Sequence, residues 1–210
     1  MIFPKPVKVK ICGITNLTDA RAAVRIGADY LGFVFYPKSP RYILPQKAKL
    51  FIAKLPRRIN KVGVFVNEEA RTVKRIAGLC GLDVLQFHGN EGVSYCRKFP
   101  GYQIIKAFRI KDKIDLRRIL KYYVDGYLLD TYCQGNFGGT GKNFDWELLR
   151  QAAGKIPFLF LSGGLNSNNV AAAIRKIHPF AVDVSSGIES RPGKKSPRLL
   201  KEFFAAIRNG

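Results

Sequence analysis

Eight short apolar, β-rich runs recur along the chain, at residues 7–11, 29–35, 61–66, 82–87, 103–108, 126–130, 157–162 and 180–185. Each is followed by a segment with helical periodicity, at 16–27, 44–55, 67–78, 90–99, 113–123, 144–154, 166–177 and 196–209. Regular alternation of this kind is the signature of βα units around a parallel sheet. The clearest helix begins at Asn16, a good N-cap, and stops at Gly27, which tolerates the left-handed turn that ends a helix. Eight such units close naturally into a single-domain α/β barrel, a (β/α)8 TIM barrel occupying residues 1–210. An open doubly wound sheet competes, but it usually has fewer strands.

Length fits this expectation: 210 residues lie close to the lower limit of about 200 for such a barrel, leaving little room for a second domain. No apolar run approaches the roughly 20 residues of a membrane span, and the start lacks the apolar stretch of a secretory signal. The expectation is a soluble, cytoplasmic protein with no membrane partner. Cys12, Cys80, Cys96 and Cys133 form no CxxC pair and read as free thiols. With only His88 and His178 available, and neither at finger-like spacing from a cysteine, no metal site is expected. The net charge of +21 invites a nucleic-acid reading. The basic residues are spread over many helices, however, with no recognition motif, so no specific nucleic-acid partner is expected. The same charge suits an anionic small substrate.

In a barrel of this kind the chemistry lies just beyond the carboxyl ends of the strands. Those positions hold Cys12, Arg41, Asn67, His88, Arg109, Asp130, and the turns "SGGL" and "SSG". "LSGGLN" (161–166) and "VSSGIE" (184–189) bring Gly163, Gly164, Ser185, Ser186 and Gly187 to the last two strand ends, where backbone amides bind phosphate in many barrels. A phosphorylated small-molecule substrate follows. Asp130 ends the apolar run "GYLLD" and suits a general acid, or else caps the next loop. Cys12 is either a small core residue or a thiolate base. Arg41, in "KSPRY", either clamps a carboxylate or faces solvent. The glycine-rich stretch after the sixth run, "DTYCQGNFGGTGKN", reads as a mobile loop over the site.

Taken in order, "KICGIT", "LGFVFYPKSPRYI", "KVGVFVN", "LQFHG", "YLLDT", "GGTGKNFDW", "LSGGLN" and "VDVSSGIE" resemble the phosphoribosylanthranilate isomerase family over nearly the whole chain. The resemblance implies a cofactor-free Amadori rearrangement in tryptophan biosynthesis. N-(5′-phosphoribosyl)anthranilate, an aminoaldose, becomes 1-(o-carboxyphenylamino)-1-deoxyribulose 5-phosphate. It implies Asp130 as the acid that opens the ribose ring and Cys12 as the base that takes the C2′ proton. Arg41 would hold the anthranilate carboxylate. Gly139 and Gly141 would join the two later turns in binding phosphate, with His88 also in the substrate site. A monomer or homodimer is expected. Two departures stand out: Ser196 where the family often has Asp, still able to cap the last helix, and Phe87 for a more usual leucine. The alternatives are a dual-substrate isomerase that also serves histidine synthesis, whose relatives carry a carboxylate in place of Cys12, and a basic nucleic-acid-binding barrel.

Overall fold

A computed structural model describes residues 6–110, 114–130 and 146–209. Eight parallel strands close into a barrel in chain order: β1 (Lys8–Cys12), β2 (Tyr30–Val34), β3 (Asn60–Phe65), β4 (Val84–Phe87), β5 (Gln103–Arg109), β6 (Gly126–Asp130), β7 (Leu159–Ser162) and β8 (Ala181–Val184). Closure is made by β8 against β1, with Lys10 beside Asp183 and Ile11 beside Val184. The strands fall within two residues of the expected runs.

Because side chains alternate across a strand, each strand fills two compartments. Outward-facing Ile11, Leu31, Phe33, Phe65, Leu85, Leu129 and Leu161 are all buried beneath the helices. Inward-facing Val62, Val84, Ile105, Leu128, Phe160 and Ala181 plug the barrel. Burying one such Leu or Phe stabilises the fold by about 1.5–3 kcal/mol. Phe87 is also buried and packs against Tyr95 and Phe99, which accommodates its larger ring.

The helices are α1 (Leu17–Ile26), α2 (Pro45–Ile52), α3 (Ala70–Cys80), α4 (Val93–Cys96), α5 (Leu116–Ile119), α6 (Trp146–Ala153), α7 (Val170–Ile177) and α8 (Pro197–Arg208). Asn16 caps α1 by accepting from the Asp19 N–H, and Gly27 ends it in the left-handed conformation, as expected. Ser196 likewise caps α8, accepting from the Leu199 N–H. Two helices are shorter than their periodicity predicts. Gly92 opens α4 without a side-chain cap, and Pro100-Gly101 follows it closely. After α5, Tyr122 turns inward instead of extending the helix: its ring packs edge-on against Phe108 and its hydroxyl donates to the Glu91 carbonyl. A hairpin absent from the sequence reading, β9 (Glu189–Arg191) and β10 (Lys194–Lys195), follows β8 and turns at Pro192-Gly193. No helix among the described residues is long and apolar enough to cross a membrane.

Candidate active site

Parallel strands deliver their last residues to one end of the barrel, so Cys12, Arg109, Asp130 and Ser162 surround one mouth. Cys12 is partly exposed there. The chain leaves β1 through Gly13 at φ +77°, and the stem of Arg41 lies directly over that glycine. A methyl group on Gly13 would stand 2.6 Å from Arg41 Cδ and 3.1 Å from Ser185 Oγ. Glycine here lets three site segments meet. Ser185 Oγ also donates to the Cys12 carbonyl at 3.2 Å, tying the ends of β8 and β1 together.

Arg41, expected to clamp a carboxylate or face solvent, clamps a carboxylate of the protein itself. Its Nε donates to both Glu189 oxygens, at 3.0 and 3.1 Å, and its Nη2 to Oε2 at 2.7 Å. The fork is therefore engaged within the protein, because the β9–β10 hairpin carries Glu189 under it. Lys195 completes the cluster, donating to Glu189 Oε1 at 2.8 Å and to the Ser185 carbonyl at 3.2 Å. Burial alone would raise the Glu189 carboxyl, but the Arg41 hydrogen bonds and the Lys195 charge hold it below the ordinary range. Burial lowers the Lys195 ammonium in spite of Glu189.

Across the mouth, His88 Nε2 lies 3.3 Å from Asp130 Oδ2, and its Nδ1 lies 3.0 Å from Gln86 Nε2. His88, expected to touch substrate, thus also touches the candidate acid. Beside it a cleft of about 420 Å³ is lined by Tyr36, Asn67, His88, Arg109 and Arg118, with Glu91 at its wall. The wall is fixed by a buried ion pair, Lys106 Nζ to Glu91 Oε2 at 2.8 Å. Glu91 also accepts from the Asn67 and Gly89 amides.

The two glycine-bearing turns expected to bind an anion follow β7 and β8 directly. Gly163 and Gly164 take φ values of 107° and 59°, which a side chain would resist. Asn169 and Asn166 brace that turn by donating to the Gly164 carbonyl, just ahead of α7. Ser186 and Gly187 lie in a short 3-10 turn next to Ser185. Gly139, Gly141 and Cys133 lie outside the described residues, as does most of the glycine-rich loop.

Sequence reading missed Lys10, Asp183, Glu189, Lys195 and Gln86. Lys10 was detectable: with a period of two it shares the inward face of β1 with Cys12, and a lysine inside a barrel demands a partner. That partner is Asp183, whose Oδ1 accepts from Lys10 Nζ at 2.8 Å. Burial pushes the Cys12 thiol up, Lys10 opposes this, Asp183 reinforces it and Lys195 opposes it, leaving the thiol above its ordinary value.

Residues 9–206 match the family of N-(5′-phosphoribosyl)anthranilate (PRA) isomerase. An N-(5′-phosphoribosyl)anthranilate isomerase of Trichlorobacter lovleyi is 48% identical over 198 residues, 94% of this chain and 96% of that protein. The crystal structure of phosphoribosyl anthranilate isomerase from Thermotoga maritima is 46% identical, covers 97% of this chain and 100% of its own, and has a TM-score of 0.89. A second structure, of the isomerase in complex with reduced 1-(o-carboxyphenylamino)-1-deoxyribulose 5-phosphate, is 43% identical, covers 97% of this chain and 100% of its own, and has a TM-score of 0.87.

Proposed function

The chain belongs to the N-(5′-phosphoribosyl)anthranilate isomerase family and catalyses that step of tryptophan biosynthesis; on this premise we propose which of its residues carry the reaction. Asp130 gives its proton to the ribose ring oxygen. The C1′–O bond then breaks and the nitrogen lone pair forms a protonated Schiff base. The Cys12 thiolate next takes the C2′ proton, and the C–H electron pair becomes the C1′–C2′ double bond of an enolamine as the iminium is neutralised. Protonation at C1′ and loss of the enol proton give the aminoketose.

The observation that carries this reading is the placement of a thiol and a carboxyl on opposite sides of one mouth, at the ends of β1 and β6. A thiol held above its ordinary range is a stronger base once ionised, as removing a proton from carbon requires. The Gly163-Gly164 turn, the Ser185–Gly187 turn and the start of α7 supply amides for the phosphate; the family resemblance adds Gly139 and Gly141, which lie outside the described residues. Arg41 meets the anthranilate carboxylate either through its remaining Nη1 or by releasing Glu189. A phosphorylated analogue occupies one similar structure, and a Thermotoga maritima relative is described as dimeric. For this chain the corresponding reading is a phosphorylated small-molecule substrate and a monomer or homodimer, separable by sedimentation.

Fluorescence-monitored turnover of freshly made substrate by Asp130→Asn and Arg41→Lys tests the assignments. Asp130→Asn is expected to lose turnover at every pH, and Arg41→Lys to raise KM about tenfold or more with a smaller change in kcat. Normal turnover by Asp130→Asn would assign the acid elsewhere.

A further inference from the structure

Lys10 is fully buried inside the barrel, and Asp183 is 5% exposed. Their 2.8 Å ion pair joins the inward faces of β1 and β8, one layer below the mouth. Stability alone does not explain it, since replacing a buried ion pair with well-packed apolar residues is often neutral or stabilising. The next inward position on β1 is Cys12. A methyl group built on Gly32 would lie 2.8 Å from Cys12 Sγ and 3.3 Å from Lys10 Nζ, so sulfur and ammonium converge over one glycine of β2. Each of the two groups favours the charged form of the other.

We propose that Lys10, anchored by Asp183, is a positioning residue for the reaction: it keeps a fixed positive charge beneath the Cys12 sulfur and so makes the thiolate accessible in a buried setting. This rests on the reading of Cys12 as the base. Burial raises the free energy of the thiolate; an ammonium that cannot move away lowers it again. Asp183 has two effects. It holds Lys10 in place and charged, and its own negative charge keeps the sulfur from becoming too weak a base. Burial pulls the Lys10 ammonium down, yet Asp183 and Cys12 together carry it above its ordinary value, so it stays protonated. The other charged groups facing the sulfur are Lys195 from β10, which also favours the thiolate, and Arg41 above Gly13, whose charge is met by Glu189. Asp130 and His88 stand across the mouth on the ends of β6 and β4.

The test follows Cys12 directly. Alkylation by iodoacetamide is measured against pH on the full-length protein without substrate, with the Cys12 peptide quantified by mass spectrometry. The proteins are wild type, Lys10→Met, Lys10→Arg and the charge-neutral double variant Lys10→Met/Asp183→Asn. In Lys10→Met the inflection should move up by at least one pH unit, a tenfold loss of thiolate at pH 7. The double variant, which avoids leaving Asp183 buried alone, should move up by less, and Lys10→Arg should restore most of the wild-type profile. Turnover should fall in parallel through kcat, with KM within threefold. An inflection unmoved in folded variants overturns the proposal. A shifted inflection with kcat unchanged supports the charge assignment and overturns instead the reading of Cys12 as base.

Discussion

His88 Nε2 faces the Asp130 carboxyl at 3.3 Å while its Nδ1 receives the Gln86 amide nitrogen at 3.0 Å. The imidazole therefore bridges the Gln86 amide and the Asp130 carboxyl, and the proton on one ring nitrogen is set by what the other meets. Gln86 is buried, and its rigid placement on β4 fixes the ring. His88 thereby orients the candidate acid. His88→Ala should leave the barrel folded and lower kcat by about tenfold to a hundredfold, the usual cost of a catalytic group held loosely. Steady-state kinetics with a thermal melt decides it: unchanged kcat removes the orienting role.

Glu189→Gln tests the cluster under Arg41. Replacing a carboxylate that accepts from Arg41 and Lys195 should cost about 3 kcal/mol, the lower end for breaking a buried ion pair. The Glu189 carboxyl is held below its ordinary 4.5, so its contribution is fully present above that pH and is lost as pH falls through the depressed value. Melting curves of the two proteins should therefore differ most near neutrality and draw together in acid. A gap that widens in acid contradicts the ion-pair account.

Gly32→Ala should be disproportionately harmful to activity. Its methyl would meet Cys12 Sγ at 2.8 Å and the Cys12 Cα at 3.1 Å, so both sulfur and strand must shift. We expect a stability loss of about 1–3 kcal/mol, typical of overpacking, with turnover down by about a hundredfold. Wild-type turnover would mean that the sulfur does not need its present position.

Glu91→Gln addresses the cleft wall. Glu91 takes hydrogen bonds from Lys106, Asn67 and Gly89, and the first is a buried ammonium. Loss of its charge should destabilise the protein by about 3–5 kcal/mol and lower the midpoint in urea, with kcat of the folded fraction little changed. A large kcat effect without a shift in midpoint would make Glu91 part of the reaction.

Much of the fold was legible because most β-runs are apolar on both faces, or alternate with a period of two as in VKVKI, whereas the helices are apolar on one face with a longer period. The short α5 was not, because Tyr122 abandons helical periodicity for contacts with Phe108 and Glu91 that are distant in sequence. Cys12, Arg41, Asp130 and the two glycine-bearing turns after β7 and β8 were readable as residues that follow strands. The groups that tune them were hidden for a different reason. Lys10 meets Asp183 only when β8 closes on β1, and Glu189 meets Arg41 only through a hairpin that carries no apolar alternation. Part of the +21 charge reaches the site, where Arg109 and Arg118 line the cleft.

The most direct test of the account is a single-turnover measurement of substrate fluorescence with wild type and Cys12→Ser, both verified as folded. The account predicts rapid loss of the signal with wild type and a rate at least a thousandfold lower with the serine variant, whose hydroxyl is far too weak an acid to supply the base. A serine variant within threefold of wild type would contradict it, and the proton on C2′ would have to be taken by another group.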